Sequence, residues 1–436
     1  MTRKKPFTFL LLLNAFLMIV SLGVRAEYAH ALELGKTYDR NNWQEIQELL
    51  IPPVQNWVKK GQFTIPTGKL NFQLALDPKY QEASRKNQGK YDISSDGLIV
   101  MKDTGKLAGF IYGNPFPVIN PKDPKVGAKI LENYKFTVHY RMGSSIATGY
   151  INWVGKNGLE REIVAAEALL FYKNRPRGPI PNPNNFLQQM IQWVKEPFDL
   201  KGTVQMAWTY NSQKPDTAFA YVPMLRRVRR VSAAARSDPF VGSDVTVDDS
   251  YGWGGKNAAF TFKLIGEGTF LVPFVSPDKF PLNKLPDGSM QRTYKDVKQG
   301  YQVQGWTGAP WAPVDVVWHP RPLWIVEGVA KDPYYNYGKF HFYIDKENYC
   351  LYFRPMYNRA GEYWKTLLYA VKYSETKDGD IYIGISNLYL VVDDKAQHAT
   401  VAEVRIFPGQ PDRMNMPVEE FGPRFFTESN LRELSK

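Results

Sequence analysis

The chain has 436 residues, 44% hydrophobic and 22% charged, with a net charge of +12. That composition excludes disorder for most of the chain and leaves ample room for a buried core. Glycine (33) and proline (31) are spread without a period, which excludes collagen-like or low-complexity character, and the 11 Trp, 26 Tyr and 25 Phe favour pleated sheet.

The N-terminus has the order of a secretory signal. Arg3, Lys4 and Lys5 precede an uncharged apolar run, Phe7 to Val24, and small-residue sites follow at Ala26 and Ala31. Cleavage after Ala26 or Ala31 makes residues 1–31 a signal peptide. An uncleaved anchor is the alternative, since a run of this length also spans a bilayer. Removing residues 1–31 takes away four basic groups (Arg3, Lys4, Lys5, Arg25) and one acid (Glu27), leaving +9. An exported basic protein is attracted to anionic lipid or glycan surfaces, and its compartment excludes nucleic acid as a partner. The single cysteine, Cys350, excludes an intramolecular disulfide and a lipid-bearing cysteine at the cleavage site.

Trp43, Ile46, Leu50, Val54, Trp57 and Val58 recur at helical steps, with Asp39 or Asn41 as cap and Pro52-Pro53 as a break or kink. Residues 62–135 are rich in turns. From Lys135 the alternation of Phe136, Val138, Tyr140 and Met142 predicts a strand, with Ser145–Val154 as its hairpin partner. Residues 159–172 fit strand and helix alike. A proline-rich connector at 175–183 leads to a predicted amphipathic helix on Phe186, Leu187, Met190, Ile191 and Val194. From Gly202 the pattern is mainly β. Val204, Met206, Trp208 and Tyr210 alternate, and runs follow at 258–265, 323–329, 339–345, 349–354, 363–373, 380–393 and 399–407. This spacing predicts an antiparallel meander, as a sandwich or an open barrel.

Catalytic and metal motifs are missing. His139, His319, His341 and His398 sit in no zinc-ligand spacing, and no G-x-S-x-G elbow or phosphate-binding glycine loop occurs. No cofactor is expected, and nothing points to an enzyme. Cys350, in an aromatic run, reads as a small buried hydrophobe.

The unusual stretch is Tyr221–Ser232, where Arg226, Arg227, Arg229 and Arg230 lie within an apolar β-like run. On one strand Arg226 and Arg230 share a face, and Arg227 and Arg229 the other. Two readings fit: an ion-pair ladder with the acids of Asp238–Asp249, or an edge that reads anions of lipid head groups or a partner.

This stretch, with Phe240-Val241-Gly242-Ser243-Asp244 and the pair Asp248-Asp249, resembles the strand-and-loop signature of LolA-like outer-membrane lipoprotein-sorting proteins. More specifically, residues 40–425 are similar to the domain-of-unknown-function family 1329. Gly113-Asn114-Pro115-Phe116-Pro117, Pro197–Thr203, Arg321–Glu327 and Tyr343–Glu347 also fit. The resemblance implies a mainly β (α+β) fold: an incomplete, strongly curved antiparallel β-barrel with plugging helices. An N-terminal extension (32–134) precedes the β domain (135–425), and a tail (426–436) follows. It also implies export to the periplasm or the periplasmic face of the outer membrane. The implied job is non-enzymatic carriage of a lipid or lipidated cargo, with an RND-type inner-membrane exporter or an outer-membrane protein as partner. An adaptor role in an envelope complex is the alternative. Gly242, Ser243, Asp244, Asp248 and Asp249 are then structural. Val204, Met206, Trp208, Phe260, Phe262, Leu264, Phe340, Phe342 and Ile344 are candidate cargo-binding residues by alternation, which does not separate a hollow barrel from a filled one.

Overall fold

Residues 144–404 supply thirteen long strands of one curved antiparallel sheet. β1 (Ser144–Gly155), β2 (Gly158–Phe171), β3 (Phe186–Glu196), β4 (Val204–Tyr210), β5 (Thr217–Val222) and β6 (Arg227–Val231) each pair with the next. β7 (Phe260–Phe274), β8 (Val317–Ala330), β9 (Lys339–Asp345), β10 (Leu351–Tyr357), β11 (Tyr363–Ala370), β12 (Leu388–Asp393) and β13 (His398–Val404) do the same. β13 lies beside β1, so the spatial order is 6-5-4-3-2-1-13-12-11-10-9-8-7. β6 and β7 take the two outer edges and share no register, so this sheet is open. The computed structural model describes residues 32–231, 236–384, 388–405 and 412–436. The expected signal segment at 1–31 lies outside the described residues.

Among the described residues four α-helices accompany the sheet: α1 (Pro52–Lys59), α2 (Pro78–Arg85), α3 (Val126–Tyr134) and α4 (Glu428–Glu433). The helix expected across 43–58 is two pieces, a 3-10 turn at Trp43–Leu49 and then α1. Pro52 and Pro53 open α1, because the first helical N–H groups need no partner within the helix. Asn42, rather than Asp39 or Asn41, takes the cap position of the 3-10 turn. α2 is capped by Asp77, which accepts from the Tyr80 amide at 2.9 Å.

Three sequence expectations are corrected. Residues 136–142 are not a strand: α3 runs on through a π turn (Lys135–His139) and a 3-10 turn (Tyr140–Met142). Every residue of these turns is buried, so the polar positions carry no solvent signal. Thr137 donates to Asn114 Oδ1 at 3.0 Å, and Arg141 pairs with Asp77 at 2.5 Å. The Ser145–Val154 segment therefore pairs with β2, which makes 159–172 a strand. The segment 186–194 is β3, not a helix. Its two faces are both covered, Met190 against Leu169 and Phe171, Ile191 and Trp193 towards Phe426 and Leu431. Two covered faces give apolar pairs that imitate a helical period. Finally, Tyr221–Val231 is a hairpin rather than one strand, and Ser232 lies outside the described residues. The chain turns at Pro223–Leu225, and Arg226 adopts φ 48°, off the β6 strand.

Cys350 is fully buried, as expected of a small hydrophobe, and burial raises its thiol pKa well above the ordinary value. Among the described residues no helix is long and apolar enough to cross a membrane. No group of three or more metal-ligating side chains is present among them either.

Candidate functional site

The face of the sheet that bears Phe260, Phe340 and Phe342 is covered by α3 and by the connection from β6 to β7. Trp253, fully buried, anchors that connection. Its ring centroid lies 4.8 Å from Phe260, 5.5 Å from Phe340 and 5.1 Å from Phe342. The Arg354 guanidinium stands 5.1 Å from the same ring, and Trp253 Nε1 donates to Asn257 Oδ1 at 2.9 Å. α3 and the π turn after it are tied to the connection by hydrogen bonds, one of them from Asn257 Nδ2 to Glu132 Oε1 at 3.0 Å. Tyr134 Oη donates to the Tyr251 carbonyl and accepts from the Trp253 amide, and Lys135 Nζ donates to the Trp253 carbonyl at 2.5 Å. Burial lowers the pKa of Lys135 to about 7.

The Gly-Ser-Asp segment and the acidic pair are where the connection is stapled down. Asp244 binds His398 Nδ1 at 2.5 Å and the Thr400 hydroxyl at 3.0 Å, both on β13. Its hydrogen bond to Asp244 raises the pKa of His398, against the effect of burial. Asp249 accepts from the Thr246 amide at 2.6 Å and pairs with Arg354 of β10. Asp248 accepts from Arg236 Nε at 2.7 Å and Tyr335 Oη at 2.8 Å. Ser243 Oγ donates to the Val245 carbonyl at 3.2 Å, and Gly242 holds φ 77°, a conformation that favours glycine.

A cleft of about 680 Å³ opens where the sheet does not close, between β6 and β7. That is within the range of small-molecule sites. β6 contributes Arg230 and Val231, and the β4–β5 turn contributes Gln213, Lys214, Pro215 and Asp216. Ala259, Phe260 and Ala330 come from the paired ends of β7 and β8, and Asp332 and Tyr335 from the next turn. Arg236, Asp248 and Lys256 form the floor. Arg236 Nη1 donates to Asp216 Oδ2 at 2.8 Å, so one guanidinium joins Asp216 to Asp248. Burial opposes the charge on Arg236, but the two carboxylates outweigh it and raise its pKa. Lys256 lies 3.6 Å from Asp216, and burial lowers its pKa. The floor is thus a paired network with no free carboxylate pair for acid–base chemistry. The wall from Val231 to Phe260 and Ala330 is apolar, and Arg230 on the rim is exposed.

The sequence-predicted cargo residues fall on two faces. Phe260 lines the cleft. Phe262, Leu264, Phe340, Phe342 and Ile344 alternate behind it on β7 and β9, in the core that contains Trp253. Val204, Met206 and Trp208 lie on the opposite face, in the core with Phe426 and Leu431, and Trp208 Nε1 donates to the Phe426 carbonyl at 3.0 Å. Of the four arginines only Arg230 reaches the cleft. The ladder with Asp238–Asp249 is not formed: among the described residues none of the four arginines makes an ion pair, and Asp244, Asp248 and Asp249 have the partners given above. Arg236, Asp216, Lys256 and Tyr335 were not singled out in the sequence. They sit on turns, where no period marks them.

The family model described as a protein of unknown function (DUF1329) matches residues 37–432. Among solved structures, a DUF1329 family protein from Desulfovibrio piger aligns with 15% identity and a TM-score of 0.43, over 71% of this chain and 100% of that one. A domain from Vibrio parahaemolyticus, provisionally described as an outer-membrane lipoprotein-sorting protein, aligns with 17% identity and a TM-score of 0.46, again over 71% and 100%. A LolA superfamily protein from Nitrosomonas europaea gives 12% and 0.41, over 70% and 98%. No curated protein matches the sequence.

Proposed function

The chain belongs to the DUF1329 family, and we propose that it is a non-enzymatic carrier of a lipid or lipid-modified cargo, exported by its N-terminal segment to the periplasm or the periplasmic face of the outer membrane. The observation that carries this reading is the cleft at the unclosed edge, with an apolar wall and a cationic rim over a charge-paired floor. We read the open sheet, with α3 and the Trp253 connection on one face, as an incomplete barrel and its plug. The sequence resemblance to LolA-like carriers supports the same reading.

The physical need is clear. Each buried CH₂ contributes about 0.8 kcal/mol, so exposing a ~16-carbon chain to water costs on the order of 12 kcal/mol. A body that carries such a chain needs an apolar wall, and an anionic head group needs cations where the wall meets water. Arg230 and Lys214 stand at that boundary. Hand-over from an RND-type exporter or to an outer-membrane partner belongs to this proposal.

The test is native mass spectrometry of protein isolated from its source. A discrete adduct lost on organic extraction is expected. A clean mass that stays unchanged with added phospholipid and fatty acid would leave the adaptor reading, for which the exposed arginines of β6, without an ion pair among the described residues, are the specific observation.

A further inference from the structure

Among the described residues the two most exposed large apolar side chains lie on neighbouring turns. Phe198, in the β3–β4 turn, is 92% exposed, and Met224, in the β5–β6 turn, is 91% exposed. The antiparallel register pairs Val204 with Tyr221, so both turns project from the same end of the sheet. They also touch. Gly202 packs so closely that a β-carbon there would come within 3.3 Å of the Pro223 ring and 2.4 Å of the Ser435 carbonyl oxygen. Each turn is therefore braced by the other and by the C-terminal segment.

Exposed cations surround the pair: Lys201 on the first turn, Arg226 and Arg227 on the second. Among the described residues none of the three forms an ion pair. The nearby Asp199 carboxylate lies 3.5 Å from Arg161 and is partly neutralised, while Glu196, at the end of β3, is exposed. Two projecting apolar side chains set among unpaired cations match the layering of an anionic bilayer surface, where apolar groups enter the acyl boundary and cations stay with the phosphates. They match a protein partner less well. A stable protein interface takes roughly 800 Å² per side around a buried centre, and two turn tips supply no such flat area.

From this we propose that the paired turns form a membrane-docking tip, with Phe198 and Met224 entering the interface of an anionic lipid bilayer. β6 then runs from Arg227 at the docked tip to Arg230 at the cleft, a rise of about 10 Å at ~3.3 Å per residue.

The test uses the purified protein with vesicles of phosphatidylglycerol and phosphatidylcholine, or of phosphatidylcholine alone. Cys350 is fully buried, so Met224→Cys presents the accessible thiol for an environment-sensitive fluorophore. A blue shift with the anionic vesicles and none with the neutral ones is expected. Flotation with anionic vesicles should fall about tenfold in Phe198→Ser/Met224→Ser, and Arg226→Gln/Arg227→Gln should lose the preference for anionic lipid. These side chains are exposed, so unchanged circular dichroism is expected to show intact folding. No flotation, flotation unaffected by the apolar double variant, or a blue shift seen only with an added envelope protein and not with vesicles would overturn the proposal. Cargo loading is read separately by mass spectrometry, so failure of docking and failure of the carrier reading remain distinguishable.

Discussion

Trp253 is the side chain on which the covered face depends, and Trp253→Ala measures that dependence. Truncating a fully buried aromatic to alanine costs about 3–5 kcal/mol. The hydrogen bond to Asn257 adds about 1 kcal/mol, and the Arg354 contact ~0.5–2 kcal/mol. These contributions overlap, so a loss of about 4–6 kcal/mol is expected by urea unfolding followed by circular dichroism. Natural domains have about 5–15 kcal/mol in hand, so the variant should fold but with a much lower midpoint. Trp253→Phe keeps a ring against Phe260, Phe340 and Phe342 and should lose about 1–3 kcal/mol. Because Phe260 also lines the cleft, Trp253→Ala should extend the cleft inwards and bind more of an apolar dye than the parent under native conditions. A loss below about 1 kcal/mol, or equal losses for the alanine and phenylalanine variants, would refute the idea that this ring anchors the connection to the sheet.

Three further outcomes are expected. Lys135 titrates near 7 when folded and near ~10.4 when unfolded, so below pH 7 both forms are charged and the cost of burial is fully present. As pH rises from 7 towards 10 the folded form sheds its proton first, so stability should rise, and Lys135→Met should flatten that slope in urea titrations at several pH values. His398 has a raised folded pKa, so its bond to Asp244 stabilises below the unfolded value of about 6.5 and is lost as pH rises through the folded value; His398→Gln should lose stability at pH 5.5 and little at pH 9. Gly127→Val should cost at least about 1–3 kcal/mol in thermal unfolding, because its β-carbon would lie 2.8 Å from the Phe262 carbonyl carbon and push α3 off β7, while Gly109→Ala, with open space, should stay within about 0.5 kcal/mol.

How far the sequence reveals the molecule depends on what each segment faces. Alternation found β9 at Lys339–Asp345 and β10 to within three residues, but it caught only the first part of β7, which runs on to Phe274, and the second part of β8, which starts at Val317. It failed at 136–142 and 186–194, where burial on all sides removes the polar face on which a period rests. The arginines at 226–230 were conspicuous because four charges in an apolar run have no place in a core. Their separation into a turn (Arg226) and an edge strand (Arg227–Val231) was not legible, since Pro223 fits a strand end as well as a turn. Within the site, Phe260 and Arg230 carried a signal. Arg236 and Lys256 carried none, because pairs such as Arg236–Asp216 and Lys256–Asp216 join residues 20 and 40 positions apart on irregular chain. The split of Val204, Met206 and Trp208 from Phe340 and Phe342 was equally hidden: alternation assigns a face within a strand, not which cover that face receives.

Where cargo sits decides between a carrier and an adaptor, and a photoreactive fatty acid read by peptide mapping measures that. The cleft predicts labelling of peptides containing Lys214–Asp216, Arg230–Val231 and Ala259–Phe260, reduced by competing unlabelled lipid. Labelling confined to other peptides, or labelling that competing lipid does not reduce, would contradict it.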